Sequence, residues 1–167
     1  MAATFAWVQR TGAGAGSEAS LGISGNLFNF MKKDSATAAD YSTNPIPAGE
    51  NSFEVYLRAK FTGTFNKIEK IQFWRSTNFS PATGLSLYWK PKGASAYVAP
   101  TSAVSRAISA IPTSDPTTAN VGIGNNITGN LAASGYSNHI VLQLRTTSAA
   151  PAGDSSLCTL SLNYDES

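Results

Sequence analysis

Cysteine and histidine are almost missing from this chain of 167 residues, which has one of each. A single Cys158 cannot form an internal disulfide, so the chain is not one of the small secreted scaffolds that disulfides hold together. Zinc and copper sites need several histidine or cysteine ligands, and we predict no such site. Cys158 lies in an alternating apolar segment, where we expect it to act as a small buried hydrophobe.

Groups suited to catalysis are also scarce. The one histidine, His139, opens a predicted strand, and we expect it to be solvated there. The chain has no G-x-S-x-G nucleophile elbow. Four aspartates fall in predicted loops, whereas a glycosidase needs two carboxylates that face each other across a cleft: Asp34, Asp40, Asp115 and Asp154. We therefore predict no catalytic, cofactor-binding or metal-binding residues and no enzymatic activity.

Charge is scarce too, at 13 % of residues with a net charge of +2. A nucleic-acid-binding surface needs clustered basic residues, but the adjacent pair Lys32 and Lys33 is followed at once by Asp34. No stretch reaches the 18 or so apolar residues of a membrane span, and the first residues lack the basic and long apolar regions of a signal peptide. We expect neither nucleic acid nor a membrane as a partner.

The clearest pattern that is present is an alternation between residues 51 and 76. Apolar side chains occupy every second position from Phe53 to Phe61, with polar residues and Tyr56 between them. A period of two places these two sets on opposite faces of a β-strand. Thr62, Gly63 and Thr64 then offer a turn before the apolar face resumes, so the segment predicts a β-hairpin with one buried and one wet face.

Further short strands are predicted along the chain, separated by loops rich in Gly, Pro, Ser and Thr. Together they number about seven or eight, with no convincing long helix, which favours an all-β chain folded as a single antiparallel β-sandwich. The pattern does not distinguish an Ig-like strand order from a jelly-roll strand order. Besides 51–76, the candidate strands are 4–9, 21–30, 85–90, 94–98, 120–127, 139–146 and 157–164.

The N-terminal residues suggest a separate element. Residues 4–9 read as a short strand or an extended arm, and glycines at 12, 14 and 16 give a flexible composition. We therefore predict an extended N-terminal arm with a Gly-rich hinge over residues 1–16 and a β-sandwich domain over residues 17–167.

Aromatic residues on the presumed outer faces are candidates for partner binding. Trp74 and Tyr88 lie on the sides of their strands opposite to the apolar faces. A purely structural explanation is that both sheet faces are partly covered, one by the partner sheet and the other by loops. Alternatively, these residues belong to a protein–protein interface, where aromatic residues are enriched, or stack on sugars as in carbohydrate-binding β-sandwiches. Under the sugar-binding alternative, Asn66, Arg75 and Asn78 would supply hydrogen bonds to a glycan.

Several segments together resemble small structural proteins of tailed-bacteriophage virions. They are WVQRTGAGAGSE, NPIPAGENSFE leading into a strand, FTGTFNKI, FWRS and the closing TLSLNYDES. Among virion proteins, the chain is most similar to capsid cement or decoration proteins and related head or tail accessory proteins. Adhesins and carbohydrate-binding modules with Gly-, Ser- and Thr-rich sandwiches remain an alternative.

The resemblance implies a non-catalytic role at the capsid surface of the virion. The partners would be the major capsid protein and copies of the chain itself, for which we expect a homotrimer, with a dimer left open. The predicted arm would add a strand to a neighbour's sheet edge, with Phe5, Trp7 and Val8 as anchors. Removing residues 1–10 should then abolish attachment and leave the sandwich folded.

Overall fold

The computed structural model describes residues 2–22, 28–76, 81–153 and 157–167, and within them the protein is all-β. Apart from a short 3₁₀ helix, Ala38–Ser42, the regular elements of these residues are strands. In chain order they are β1 (Thr4–Thr11), β2 (Ser17–Gly22), β3 (Val55–Thr62), β4 (Ile68–Arg75), β5 (Leu85–Trp89), β6 (Ser109–Ala110), β7 (Gly135–Tyr136), β8 (Ile140–Thr146) and β9 (Leu160–Glu166).

The strands form one large and one small antiparallel sheet. The large sheet has the order β2–β1–β3–β8–β5–β6, and β7 pairs with the end of β3. The small sheet contains β4 and β9. The described part of the chain thus confirms the predicted all-β, antiparallel fold.

A common hydrophobic core lies between the two sheets. The alternating residues of β3 from Val55 to Phe61 face it, as predicted from the period of two. Across the core, Trp7 of β1 and Trp89 of β5 both contact Phe73 of β4, with ring centroids 6.2 and 5.7 Å apart. The ring of Phe61 meets Tyr164 of β9 at 4.8 Å. Burial of these rings stabilises the packing of the two sheets against each other.

The predicted hairpin of residues 51–76 is wrong. β3 pairs with β1 and β8 in the large sheet, whereas β4 pairs with β9 in the small sheet. Residues 63–67 therefore carry the chain from one sheet to the other, and Phe65 in this connection is buried in the core. The sequence pattern is the same for a hairpin and for a connection between two sheets. In both cases each strand has alternating side chains and buries one apolar face in the same core.

The prediction of an extended arm is corrected as well. Residues 4–11 form β1, which pairs with β3 from Thr4 to Arg10 and with β2 on its other side. Trp7 and Val8 are buried. Gly12, Gly14 and Gly16 all have positive φ, and they form the loop of the β1–β2 hairpin rather than a hinge between an arm and a body.

Several weaker predictions also change. Residues 94–98 and 120–127 contribute isolated bridges, Ala94 to His139 and Lys92 to Val121, instead of strands. Of the predicted strand 21–30, residues 23–27 lie outside the described residues. The strands 139–146 and 157–164 are confirmed as β8 and β9 with shifted ends.

Candidate interaction surfaces

The five residues predicted to bind a partner do not come together in the structure. Phe5 and Trp7 point into the core side of β1 and pack edge to face at 5.2 Å. Val8 is buried on the opposite side of the same strand. Trp74 lies half-buried on β4 of the small sheet, and Tyr88 lies half-buried on β5 of the large sheet. No single surface therefore contains all five.

The described residues contain no group of three or more histidine, cysteine, aspartate or glutamate side chains placed to bind a metal ion. Asp34 accepts a hydrogen bond from the Gly12 N–H at 2.6 Å, and Asp40 pairs with Lys33 at 2.7 Å. Cys158 is half-buried against the core with Leu160 and Leu162, close to the predicted role. Asn78 and Asp154 lie outside the described residues.

His139 is not solvated, contrary to the prediction, since only 2 % of it is exposed. Its ring lies against Tyr56 and Tyr97, with both ring centroids at 5.9 Å. Nδ1 lies 3.2 Å from the Ala94 carbonyl oxygen, while Nε2 has no hydrogen-bond partner. Burial, reinforced by the positive charge of Arg58, lowers the pKa of His139 to about 4, so the ring is neutral at physiological pH.

The outer face of the large sheet is covered, which corrects the prediction of a wet face for β3. Tyr56 is fully buried there with Ala94 and Val141, and burial raises the pKa of its hydroxyl to about 12. Tyr97 packs on Tyr56 at 5.1 Å and donates a hydrogen bond to the Gly12 carbonyl at 2.7 Å. Aromatic packing and this hydrogen bond together hold the β1–β2 hairpin against the segment that follows residue 94.

Towards β7, charged side chains cover the outer face of the large sheet. The guanidinium of Arg58 forms a salt bridge with Glu18 of β2 and lies over the ring of Tyr136 at 3.7 Å. The guanidinium of Arg10 lies 5.0 Å from the centre of the Tyr97 ring. Burial, reinforced by the nearby charge of Arg10, lowers the pKa of Arg58.

A segment that we call the outer loop, residues 98–108, lies over the other half of this face. Its backbone is held by two buried polar side chains of the sheet. Gln143 of β8, fully buried, donates from Nε2 to the carbonyls of Ser102 and Ala103 at 3.4 and 3.2 Å. Glu54, also buried, accepts a hydrogen bond from the Arg106 N–H at 2.7 Å.

Arg145 adds a third anchor for the outer loop. It donates to the Gln143 amide oxygen at 3.2 Å and to the Ala107 carbonyl, and it stacks over Tyr88 at 3.9 Å. Part-buried hydrogen bonds of this kind, several of them to charged groups, fix a loop that has no regular structure of its own. The anchors explain why Glu54, Gln143 and Arg145 occupy a sheet face that the alternation predicted to be solvated.

The outer loop turns apolar side chains towards solvent. Val98, Val104 and Ile108 are 39, 55 and 63 % exposed, and Arg106 is the one charged residue among 98–108. Exposed apolar residues on a loop whose backbone is held in place make that loop a candidate interaction surface. In the sequence, most of this segment falls in a Pro-, Ser-, Thr- and Ala-rich stretch between two predicted strands, which predicts a long connection with at most one helical turn at 104–111. The available signal was Val104 and Ile108 within a stretch with one charge.

The two edges of the small sheet differ in how they are covered. The outer edge of β4 is paired by loops: Ile68 exchanges hydrogen bonds with Leu131, and Phe73 exchanges them with the Asn120 side chain at 2.7 Å each. The N–H of Arg75 donates to the Pro112 carbonyl at 2.9 Å. β9 pairs with β4 on one side. On its other side no described strand pairs with β9, and we call this side the open edge of β9.

Comparison of the chain with protein-family models, with curated protein sequences and with solved structures found no match. Among the residues that the structure describes, no helix has the length and apolar character needed to cross a membrane.

Proposed function

We propose that this chain is a non-catalytic structural protein of a virion, a cement or decoration protein that binds the shell of the major capsid protein. The observation that carries the proposal is the outer loop, which exposes Val98, Val104 and Ile108 to solvent. Its backbone is anchored by hydrogen bonds to the buried side chains of Glu54 and Gln143. A fixed apolar surface binds with a small loss of conformational entropy. The resemblance of the sequence to virion structural proteins supports the choice of partner.

Multivalency makes a small surface of this kind sufficient. A cement protein meets many identical sites on one shell, and each contact of a linked assembly raises the effective concentration for the next. The low charge of the outer loop suits an apolar partner surface, because little charge has to be desolvated on binding. Glu54, directly before β3, and Gln143 and Arg145 of β8 would transmit load from the shell to the two sheets.

The first test is the copy number of the chain in purified particles, measured by quantitative mass spectrometry against the major capsid protein. A ratio near one, or a simple fraction of one, supports a role over the whole shell. A few copies per particle would place the chain in a neck or tail as an accessory protein. Absence from particles overturns the proposal and favours the glycan-binding alternative, for which Trp74→Ala should abolish binding to glycan arrays.

A second test locates the binding surface. Val104→Asp and Ile108→Asp each place a carboxylate on the outer loop, and we expect them to lower co-sedimentation with capsid shells at least tenfold because the charge would be buried in the interface. Leu157→Asp is the matched control, since Leu157 is 75 % exposed and lies outside the outer loop. Unchanged attachment of both loop variants would exclude this surface.

A further inference from the structure

Along the open edge of β9, every second residue directs its backbone N–H and C=O groups away from β4. Ser76 donates to the Thr159 carbonyl at 2.8 Å, and Trp74 lies opposite Ser161. Backbone groups alternate in direction along an antiparallel strand, so those of 159, 161 and 163 face β4. The groups of Leu160 and Leu162 then point away from β4, and no described group of the chain pairs with them on that side.

We propose that two copies of the chain pair through the open edges of β9, antiparallel about a two-fold axis at Asn163, to form a four-stranded sheet β4–β9–β9–β4. This register overlaps the whole of β9. It places residue 160 opposite residue 166 of the partner and residue 162 opposite residue 164. Each of these residues points its backbone at the edge, so every pair exchanges hydrogen bonds. The proposal concerns the isolated protein and does not depend on the capsid partner.

The side chains of β9 also favour pairing with a second copy of β9. Leu160, Leu162 and Tyr164 are half-buried against the core, and the same residues of a second β9 would extend this apolar face beyond the edge. Asp165 and Glu166 lie together at one end of the strand. Antiparallel pairing separates the two acidic ends, whereas parallel pairing would bring four carboxylates together, which is unfavourable.

The single chain already protects part of this edge. The side-chain oxygen of Asn163 accepts a hydrogen bond from the Tyr164 N–H at 3.0 Å. In the dimer, that N–H would donate to the carbonyl of Leu162 of the second copy, so one hydrogen bond replaces another. Polar and charged residues at an edge limit unspecific strand addition, and here they limit it without closing the positions at 160 and 162.

The test is the oligomeric state of the purified chain, measured by sedimentation equilibrium. We expect a dimer for the wild type. Leu162→Pro removes the edge-facing N–H and leaves the hydrogen bonds of Ser161 and Asn163 to β4, since proline is tolerated on an edge strand. We expect it to raise the dimer dissociation constant at least tenfold above that of Leu162→Ala, the matched control, which loses the same side chain but keeps the N–H.

Interchain disulfide formation tests the same pairing without Leu162→Pro, and therefore still decides the proposal if that variant does not fold. In a Cys158→Ser background, Asn163→Cys places two thiols in a directly opposed pair with Cα atoms about 4.5 Å apart, within disulfide range. We expect an interchain disulfide for this variant and none for Ser161→Cys, whose two copies are four positions out of register. A wild type that is monomeric or trimeric, or equal cross-linking of both cysteine variants, would overturn the proposal.

Discussion

At the scale of single residues, the buried His139 makes folding stability depend on pH. Its pKa is about 4 in the folded protein, against 6.5 for an ordinary histidine. Below pH 6.5 the unfolded chain binds a proton that the folded chain binds only near pH 4. The free energy of unfolding therefore falls as the pH drops from 6.5 to 4, by up to about 3 kcal/mol.

Urea unfolding between pH 7.5 and 4 would measure this loss. His139→Gln removes the titrating group, and we expect it to flatten the pH dependence over this range compared with the wild type. Because His139 is the one histidine of the chain, its titration can also be followed directly by NMR. An imidazole pKa near 6.5 in the folded protein would contradict the prediction.

Gly16 is a second residue whose role is testable, with Gly14 as its matched control. Both have positive φ, at +68° and +62°. A Cβ on Gly16 would lie 2.6 Å from the Tyr97 ring, whereas a Cβ on Gly14 meets no atom within 4 Å. We expect Gly14→Ala to cost about 1 kcal/mol from backbone strain alone.

Gly16→Ala should cost about 1–3 kcal/mol more than Gly14→Ala, because overpacking against the Tyr97 ring and against the Thr11 carbonyl oxygen, 2.9 Å from the added Cβ, adds to the same strain. Thermal or urea unfolding of the two variants would measure the difference. Equal stabilities would contradict tight packing around Gly16, and would argue against the hydrogen bond from Tyr97 to Gly12 as a contact that holds the β1–β2 hairpin in place.

At the scale of elements, β1 is expected to be essential for folding. It lies between β2 and β3 in the large sheet and contributes Trp7 to the core. Removal of residues 1–10 should therefore unfold the chain, in contrast to the sequence prediction of a folded sandwich without its arm. The milder change Trp7→Ala should cost about 3–5 kcal/mol of stability.

Urea unfolding of Trp7→Ala beside Thr4→Ala would test the role of β1. Thr4 is exposed on the same strand, so its replacement should change stability by less than about 0.5 kcal/mol. A folded protein that lacks residues 1–10 and retains wild-type stability would restore the interpretation of this segment as an arm.

Sequence patterns predicted strand faces well and strand partners poorly. The alternation from Phe53 to Phe61 identified the core side of β3, because side chains alternate whichever strand lies alongside. The same alternation could not show that β3 pairs with β1 and β8, since pairing depends on residues far away in the chain. The burial of His139 and the anchors Glu54 and Gln143 was missed because a covering loop leaves no periodic signal.

At the scale of the whole molecule, two sheets of unequal size share one core. Trp7, Phe73 and Trp89 connect strands from both sheets, so neither sheet can keep its apolar face buried without the other. Cooperative unfolding in a single transition is the behaviour that this arrangement favours. The outer loop lies over the large sheet and β9 belongs to the small sheet, so the proposed shell binding and the proposed self-pairing use different parts of the fold.

The crossing of the chain from β3 into the small sheet also has a consequence during synthesis. Among the described strands, β4 pairs only with β9, and the paired residues Gln72 and Asn163 are 91 positions apart. At about 5–20 residues per second, a ribosome needs on the order of 5–18 s to make the intervening chain. During that time Ile71 and Phe73 of β4 lack the strand with which β4 pairs. We therefore expect the nascent chain to expose apolar side chains that chaperones bind.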